Sequence, residues 1–252
     1  MSRRAEYRHA LRTLQRSAWA PFLTEHSGLP GPRGNLELME AVADVGDAAL
    51  FDSLVASDEE YLTACGVIGW GQLMATGAGG DLASRLRLGA TEDRWRVREA
   101  IAMALQRLGD ADPNQCRALA DDWAGDPDPL VQRAAVAGIC EPRLLRTPEG
   151  AAHALALCGA VTASLAARPA QQRRQPGVRT LRQALGYCWS VAVAADPVAG
   201  LPVFAALAAQ DDVDVQWIVR ENCKKSRLTR LLPQEESKQG GDPTTHASAK
   251  AP

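Results

Sequence analysis

Four stretches of the chain repeat one hydrophobic pattern. They are DRWRVREAIAMAL from Asp93, DPDPLVQRAAVAGI from Asp126, QPGVRTLRQAL from Gln175 and DDVDVQWIVRENC from Asp211. Each centres on a valine: Val97, Val131, Val178 and Val215, at separations of 34, 47 and 37 residues. Apolar residues follow each valine at helical spacing. The first window has Val97, Ala100, Ile101, Ala104, Leu105 and Leu108; the second Val131, Ala134, Ala135, Gly138 and Ile139; the fourth Val215, Ile218, Val219 and Cys223. This i, i+3, i+4, i+7 stripe predicts amphipathic helices. The third window departs: Arg182 takes the fourth position after Val178, and no Asp precedes that valine. Its later part, ALGYCWSVAVAA, is apolar all round and predicts the most buried helix.

Acidic and proline-rich breaks separate these helices from intervening ones. GDADP at 109–113, GDPDP at 125–129 and ADP at 195–197 supply Asp caps and first-turn prolines. The intervening helices are expected at about 113–123, 148–167 and 197–209. Upstream, GNLELMEAVADVGD, AALFDSLVAS, SDEEYLTACGVIGWGQLMATG and GDLASRLRLGA read as two more helix pairs joined by Gly-rich turns.

One helix pair cannot bury its apolar stripe, so such pairs stack into an array. The reading is therefore all-α: an α-solenoid of about five pairs over 34–232, preceded by an N-terminal helical cap and loop at 1–33. Residues 233–252 are polar and aromatic-free, which predicts a disordered tail. The windows resemble HEAT repeats, on the Asp-Pro turn, the Val-Arg pairs (Val97-Arg98, Val178-Arg179) and the Ala/Leu positions. Gln132 and Gln216 stand where two repeats would have that Arg. WIVRENCKKSRL is similar to the closing repeat of bacterial HEAT-repeat proteins.

Composition removes several function classes. The net charge is −2, so no overall charge draws the chain to nucleic acid or membrane. No run of 18 apolar residues occurs, and the charged N-terminus lacks a signal-peptide core, so a cytoplasmic protein with no membrane span is expected. Six cysteines lie no closer than 18 residues apart, which excludes a C-x-x-C motif and predicts core-filling thiols in a reducing compartment. His153 and Cys158, on one apolar helix, do not form a metal site on their own. No catalytic set, cofactor loop or metal cluster is expected; GAGGD at 77–81 lacks the Lys and the strand of a phosphate loop.

Charge alternates along the chain. Residues 34–84 hold nine acids and no base, residues 131–182 eight arginines against two acids, and residues 217–230 five bases against one acid. The HEAT resemblance implies that the Val-centred helices line the concave face. It then implies a partly basic groove bearing Arg94, Arg98, Arg179, Arg182, Trp217, Arg220, Lys224 and Arg227, which would hold a protein segment or another anionic partner. Arg220, Lys224 and Arg227, at i, i+4 and i+7, are expected on one helical face. The competing role for these arginines is an inter-repeat ladder with acids of neighbouring repeats. A second functional reading is DNA binding. RWRVREAIAMALQRLGDADP loosely resembles a repeat of the HEAT-like alkylpurine DNA glycosylases, which hold a lesion against aromatic side chains near a carboxylate. Trp95 with Glu99, Trp217 with Glu221, and Trp123 after Asp122 are the residues that would serve.

Overall fold

Helix starts coincide with the Asp-Pro breaks. In the computed structural model, which describes residues 2–31, 33–78 and 80–232, Asp112 accepts a hydrogen bond from the Gln115 amide at 2.9 Å and Pro113 takes the first helical position. Asp128 before Pro129 and Asp196 before Pro197 repeat the arrangement. Each cap satisfies an amide that the first turn leaves without a partner, and proline sacrifices nothing there. Asn35, Asp47, Thr147 and Asp212 cap four other helices.

In chain order the helices are α1 (Arg3–Thr13), α2 (Trp19–Glu25), α3 (Leu36–Val45), α4 (Ala48–Val55), α5 (Glu60–Ala75), α6 (Leu82–Gly89), α7 (Trp95–Ala111) and α8 (Pro113–Ala124). There follow α9 (Pro129–Ile139), α10 (Pro148–Ala166), α11 (Ala170–Arg173), α12 (Pro176–Ala195), α13 (Pro197–Ala208), α14 (Val213–Cys223) and α15 (Ser226–Thr229). No strand occurs among the described residues. The array has two rows. Helices α3, α5, α7, α9, α12 and α14 each pack on the next, and α1 extends this inner row by packing on α3. On the outer row, α6, α8, α10 and α13 each touch the two inner helices that flank them in the chain. This is an all-α solenoid, and the four valines lie at its centre: Val97, Val131, Val178 and Val215 are all buried.

Two local expectations change, and a third observation bears on the expected absence of a membrane span. First, α5 rather than α12 carries the longest buried run, Tyr61 to Gly71 without interruption. Helix α5 lies between α3, α4 and α7, and glycine lets it approach them: a Cβ on Gly66 would stand 2.6 Å from the Phe51 carbonyl oxygen, and one on Gly71 2.5 Å from the Ala104 Cα. Second, α7 runs through Gly109 to Ala111, so the GDADP break acts only at Asp112. Third, α10 is long and apolar enough to cross a membrane by length and composition, yet half of that stretch is buried inside the array. The expected tail, 233–252, lies outside the described residues.

A candidate binding groove on the inner row

Two neighbouring cavities open along the inner row. One, of about 500 Å³, is lined by Trp95, Arg98, Glu99, Met103 and Gln106 of α7, Arg133 and Ala137 of α9, and Thr180, Gln183 and Tyr187 of α12, among others. The second, of about 870 Å³, is lined by α1, α3, α5 and α7, including Arg4, Glu37, Glu40, Gln72 and Arg107. Met103, Gln106 and Glu141 border both, so the two adjoin and are taken together as the groove of the inner row. A register rule generates its lining. Positions two, six and nine after the repeat valine are Glu99, Met103 and Gln106 on α7, Arg133, Ala137 and Cys140 at α9, and Thr180, Ala184 and Tyr187 on α12. The same positions at α14 are Trp217, Glu221 and the C-cap Lys224.

Most of the arginines are committed to the fold. Arg94 binds Glu92 at 3.0 Å and reaches the Asp58 carbonyl and Thr63 ahead of and within α5. Arg96 pairs with Glu60 at 2.8 Å. Arg133, buried beneath the groove, donates to the Arg98 carbonyl at 2.9 Å and ion-pairs with Glu99. Burial pushes its pKa down from the usual arginine value. Arg182 stacks over Trp217 at 4.6 Å and pairs with buried Asp214 at 2.5 Å, which explains a charge in the apolar stripe. Arg173 reaches the same Asp214 and Asp212. Several partners lie 31 to 41 residues apart, the repeat length, so these are contacts between successive repeats. The groove along α7 and α9 is therefore less basic than the HEAT resemblance implies: Arg96 and Arg133 are neutralised by acids of the adjoining repeat, and Arg94 by Glu92 of its own turn.

Arg98 does not join this ladder. It lines the groove but donates to the carbonyls of Glu92 and Asp93, the latter at 2.7 Å. Gln132 and Gln216, in the same register, donate to Ala124 and Ala208, the last residues of α8 and α13, at 3.0 and 2.9 Å. The shared requirement is a donor for carbonyls at the preceding outer-helix end or turn. Glutamine meets it as well as arginine, which accounts for the substitution.

Positive charge survives at the C-terminal end of the row. Arg179 and Arg220 are exposed and have no side-chain hydrogen-bond or ion-pair partner among the described residues. Lys224 pairs with Glu221 at 2.5 Å and holds that carboxyl below its usual pKa. The expected single face of Arg220, Lys224 and Arg227 does not form, because α14 stops at Cys223. Arg227 sits on α15 and turns back to α12: it donates to the Tyr187 hydroxyl at 2.7 Å and lies 4.8 Å from the ring centroid. Lys225 stands 5.9 Å from the same ring. Tyr187 is the groove residue that sequence reasoning missed, and its register nine residues after Val178 was the available signal.

The aromatic–carboxylate sets do not converge. Trp123 is buried, and Asp122 is exposed on outer-row α8. Trp217 packs on Gly186 beneath Arg182. Trp95 does face the groove, 49% exposed, but Glu99 beside it is bound to Arg133. His153 binds Asp121 at 2.8 Å on the outer row, away from Cys158. Cys158 lies 3.6 Å from Cys140, sulfur to sulfur, in the core, where Cys188 is also buried. Hydrogen bonding to Cys158, with burial, holds the Cys140 thiol well above its usual pKa, and burial, with the nearby Glu59 charge, does so for Cys65. Such thiols are inert core filler. Among the described residues no group of three or more His, Cys, Asp or Glu is placed to hold a metal ion.

No protein-family model matches the sequence, and no curated protein matches it. Among solved structures the chain is similar to crystal structures of engineered proteins from the Northeast Structural Genomics Consortium. One is 15% identical, covering 92% of this chain and 98% of the other, with a TM-score of 0.37. Another is 16% identical, covering 79% and 51%, with a TM-score of 0.32.

Proposed function

We propose that this chain is a non-catalytic binding scaffold of the HEAT-repeat kind, whose inner groove holds a segment of a partner protein. One observation carries this reading. Trp95 and Tyr187, 49% and 43% exposed, line the same cavity over a floor of Gln106, Gln183, Thr180 and Met103. Half-exposed aromatics over an amide-rich surface suit a peptide: the rings supply contact area at low entropic cost, and the amides supply hydrogen bonds to a backbone. The arginine ladder beneath holds the inner helices in register, so the groove is formed before a partner arrives. No cofactor or metal enters the reading.

Selection of random peptides displayed on phage tests it. Peptides enriched on the intact chain are expected to lose binding to a Trp95→Ala/Tyr187→Ala variant that keeps its helical circular dichroism. Each aromatic truncation at an anchor position weakens binding by about 2 kcal/mol. Enrichment that survives the double substitution would place the binding surface elsewhere.

A further inference from the structure

We propose that the groove is chemically directional. Its α12–α15 end receives a carboxylate-bearing stretch of the partner, so that acidic residues lie against Tyr187, Lys225 and Arg227 while neutral residues cover Trp95. This rests on the groove being the partner site.

Three observations carry it. Arg98, beside Trp95, is spent on the Glu92 and Asp93 carbonyls, and along the rest of the groove the charges cancel in place: Arg133 on Glu99, Arg107 on Glu40 and Asp44, Arg143 on Asp110 at 3.0 Å. At the far end they do not. Arg179, Arg220, Lys225, Arg227 and Arg230 have no acidic side chain bound to them among the described residues, and the one local acid, Glu221, belongs to Lys224. Finally, two of these cations are held in place by Tyr187, whose ring carries Arg227 at 4.8 Å and Lys225 at 5.9 Å. The Tyr187 hydroxyl accepts one bond from Arg227, and a guanidinium has five donors, so four remain for a carboxylate. A stacked guanidinium is already ordered, and an arriving anion has less entropy to remove.

A polyphosphate chain fits the same end but not the rest. Continuing into the second cavity, it would meet arginines already taken up by carboxylates, Arg107 by Glu40 and Arg143 by Glu141 at 3.1 Å, which leaves little there to hold its phosphates. A peptide is free to carry its acids only where the cations stand.

Fluorescence anisotropy with a fluorescein-labelled oligoglutamate peptide, beside oligolysine and a short DNA duplex, tests the proposal on the full chain. Oligoglutamate should bind at roughly 20 mM salt and weaken by roughly 300 mM, as the Debye length falls from about 20 Å to about 6 Å. Lys225→Gln/Arg227→Gln should weaken it by about fivefold or more, the sum of two exposed charge contacts. Arg12→Gln, an exposed residue of α1 that borders neither cavity, should change nothing. No oligoglutamate binding at low salt overturns the proposal, as does binding that the double substitution leaves unchanged. Duplex DNA bound more tightly, with the same dependence on Lys225 and Arg227, overturns it in favour of a polyphosphate. Should peptides selected on Trp95 and Tyr187 still bind while oligoglutamate does not, the groove stands and the directional inference alone fails.

Discussion

Replacing Arg107 with methionine isolates what the arginine ladder does. The Arg107 side chain is only 9% exposed, and it joins three successive inner helices. It ion-pairs with Glu40 and with Asp44 (2.6 Å) on α3, and donates twice to Gln72 Oε1 on α5, at 2.6 and 3.0 Å. Methionine keeps much of the stem and removes the charge. Asp44 retains Arg4, at 2.8 and 2.6 Å, but Glu40 is left with Arg4 at 3.4 Å and the Gln72 oxygen with no cation. Breaking a buried pair from one side costs about 3–5 kcal/mol. Because Asp44 keeps a second partner, the lower end applies, about 3 kcal/mol. At a slope of roughly 2–3 kcal/mol per molar urea, the midpoint should fall by about 1 M. Urea titration followed by helical circular dichroism reads this directly. Adding Glu40→Gln should return part of the loss, since Glu40 is the carboxylate left without a close partner. A loss below about 1 kcal/mol, or no recovery in the double variant, would refute the argument that these arginines serve the fold.

Gly71→Ala should cost about 2–3 kcal/mol, because its Cβ meets the Ala104 backbone at 2.5 Å and two helices must separate. Gly159→Ala, in α10 with nothing within 4 Å of the added methyl, should instead stabilise by about 0.5–1 kcal/mol; thermal melts of the pair check the opposite signs. Acid should unfold the chain through its paired aspartates. Burial opposes ionisation of Asp44 and Asp212, but Arg4 with Arg107, and Arg173, outweigh it and hold both pKa values below the usual 3.8. A carboxyl depressed in the folded state stabilises above its unfolded pKa and loses that contribution as pH falls through the folded value. Stability should therefore hold from neutral pH to about pH 4 and fall below it, and an unchanged acid slope in Asp44→Asn/Asp212→Asn would count against this assignment. A thiol-specific reagent should label Cys223 alone in the native chain, because the other five thiols are buried and Cys116 is pushed up to about 12 by that burial; prompt labelling of a second cysteine would contradict the packing.

Backbone organisation was legible because it is written in local chemistry. Asp112-Pro113, Asp128-Pro129 and Asp196-Pro197 mark helix starts whatever surrounds them, and the Val-centred stripe marks buried faces. The burial of α5 was less legible, since it depends on where Phe51 and Ala104 arrive in space. The groove was half legible. The register after each valine identified the helices that line it, and Arg98 and Trp95 do so. The partners of Arg96, Arg133 and Arg182 are acids one repeat away, and charge counts along the chain do not pair them. The return of Arg227 to Tyr187 required knowing that α14 ends at Cys223, which helical spacing across Lys224 and Lys225 concealed.

The central claim, that the inner groove takes a partner segment, is tested most directly by hydrogen–deuterium exchange with and without a selected peptide. The account predicts slowed exchange along α7, α9 and α12, centred near Gln106 and Gln183, with α8, α10 and α13 unchanged. Protection confined to the outer helices would contradict it.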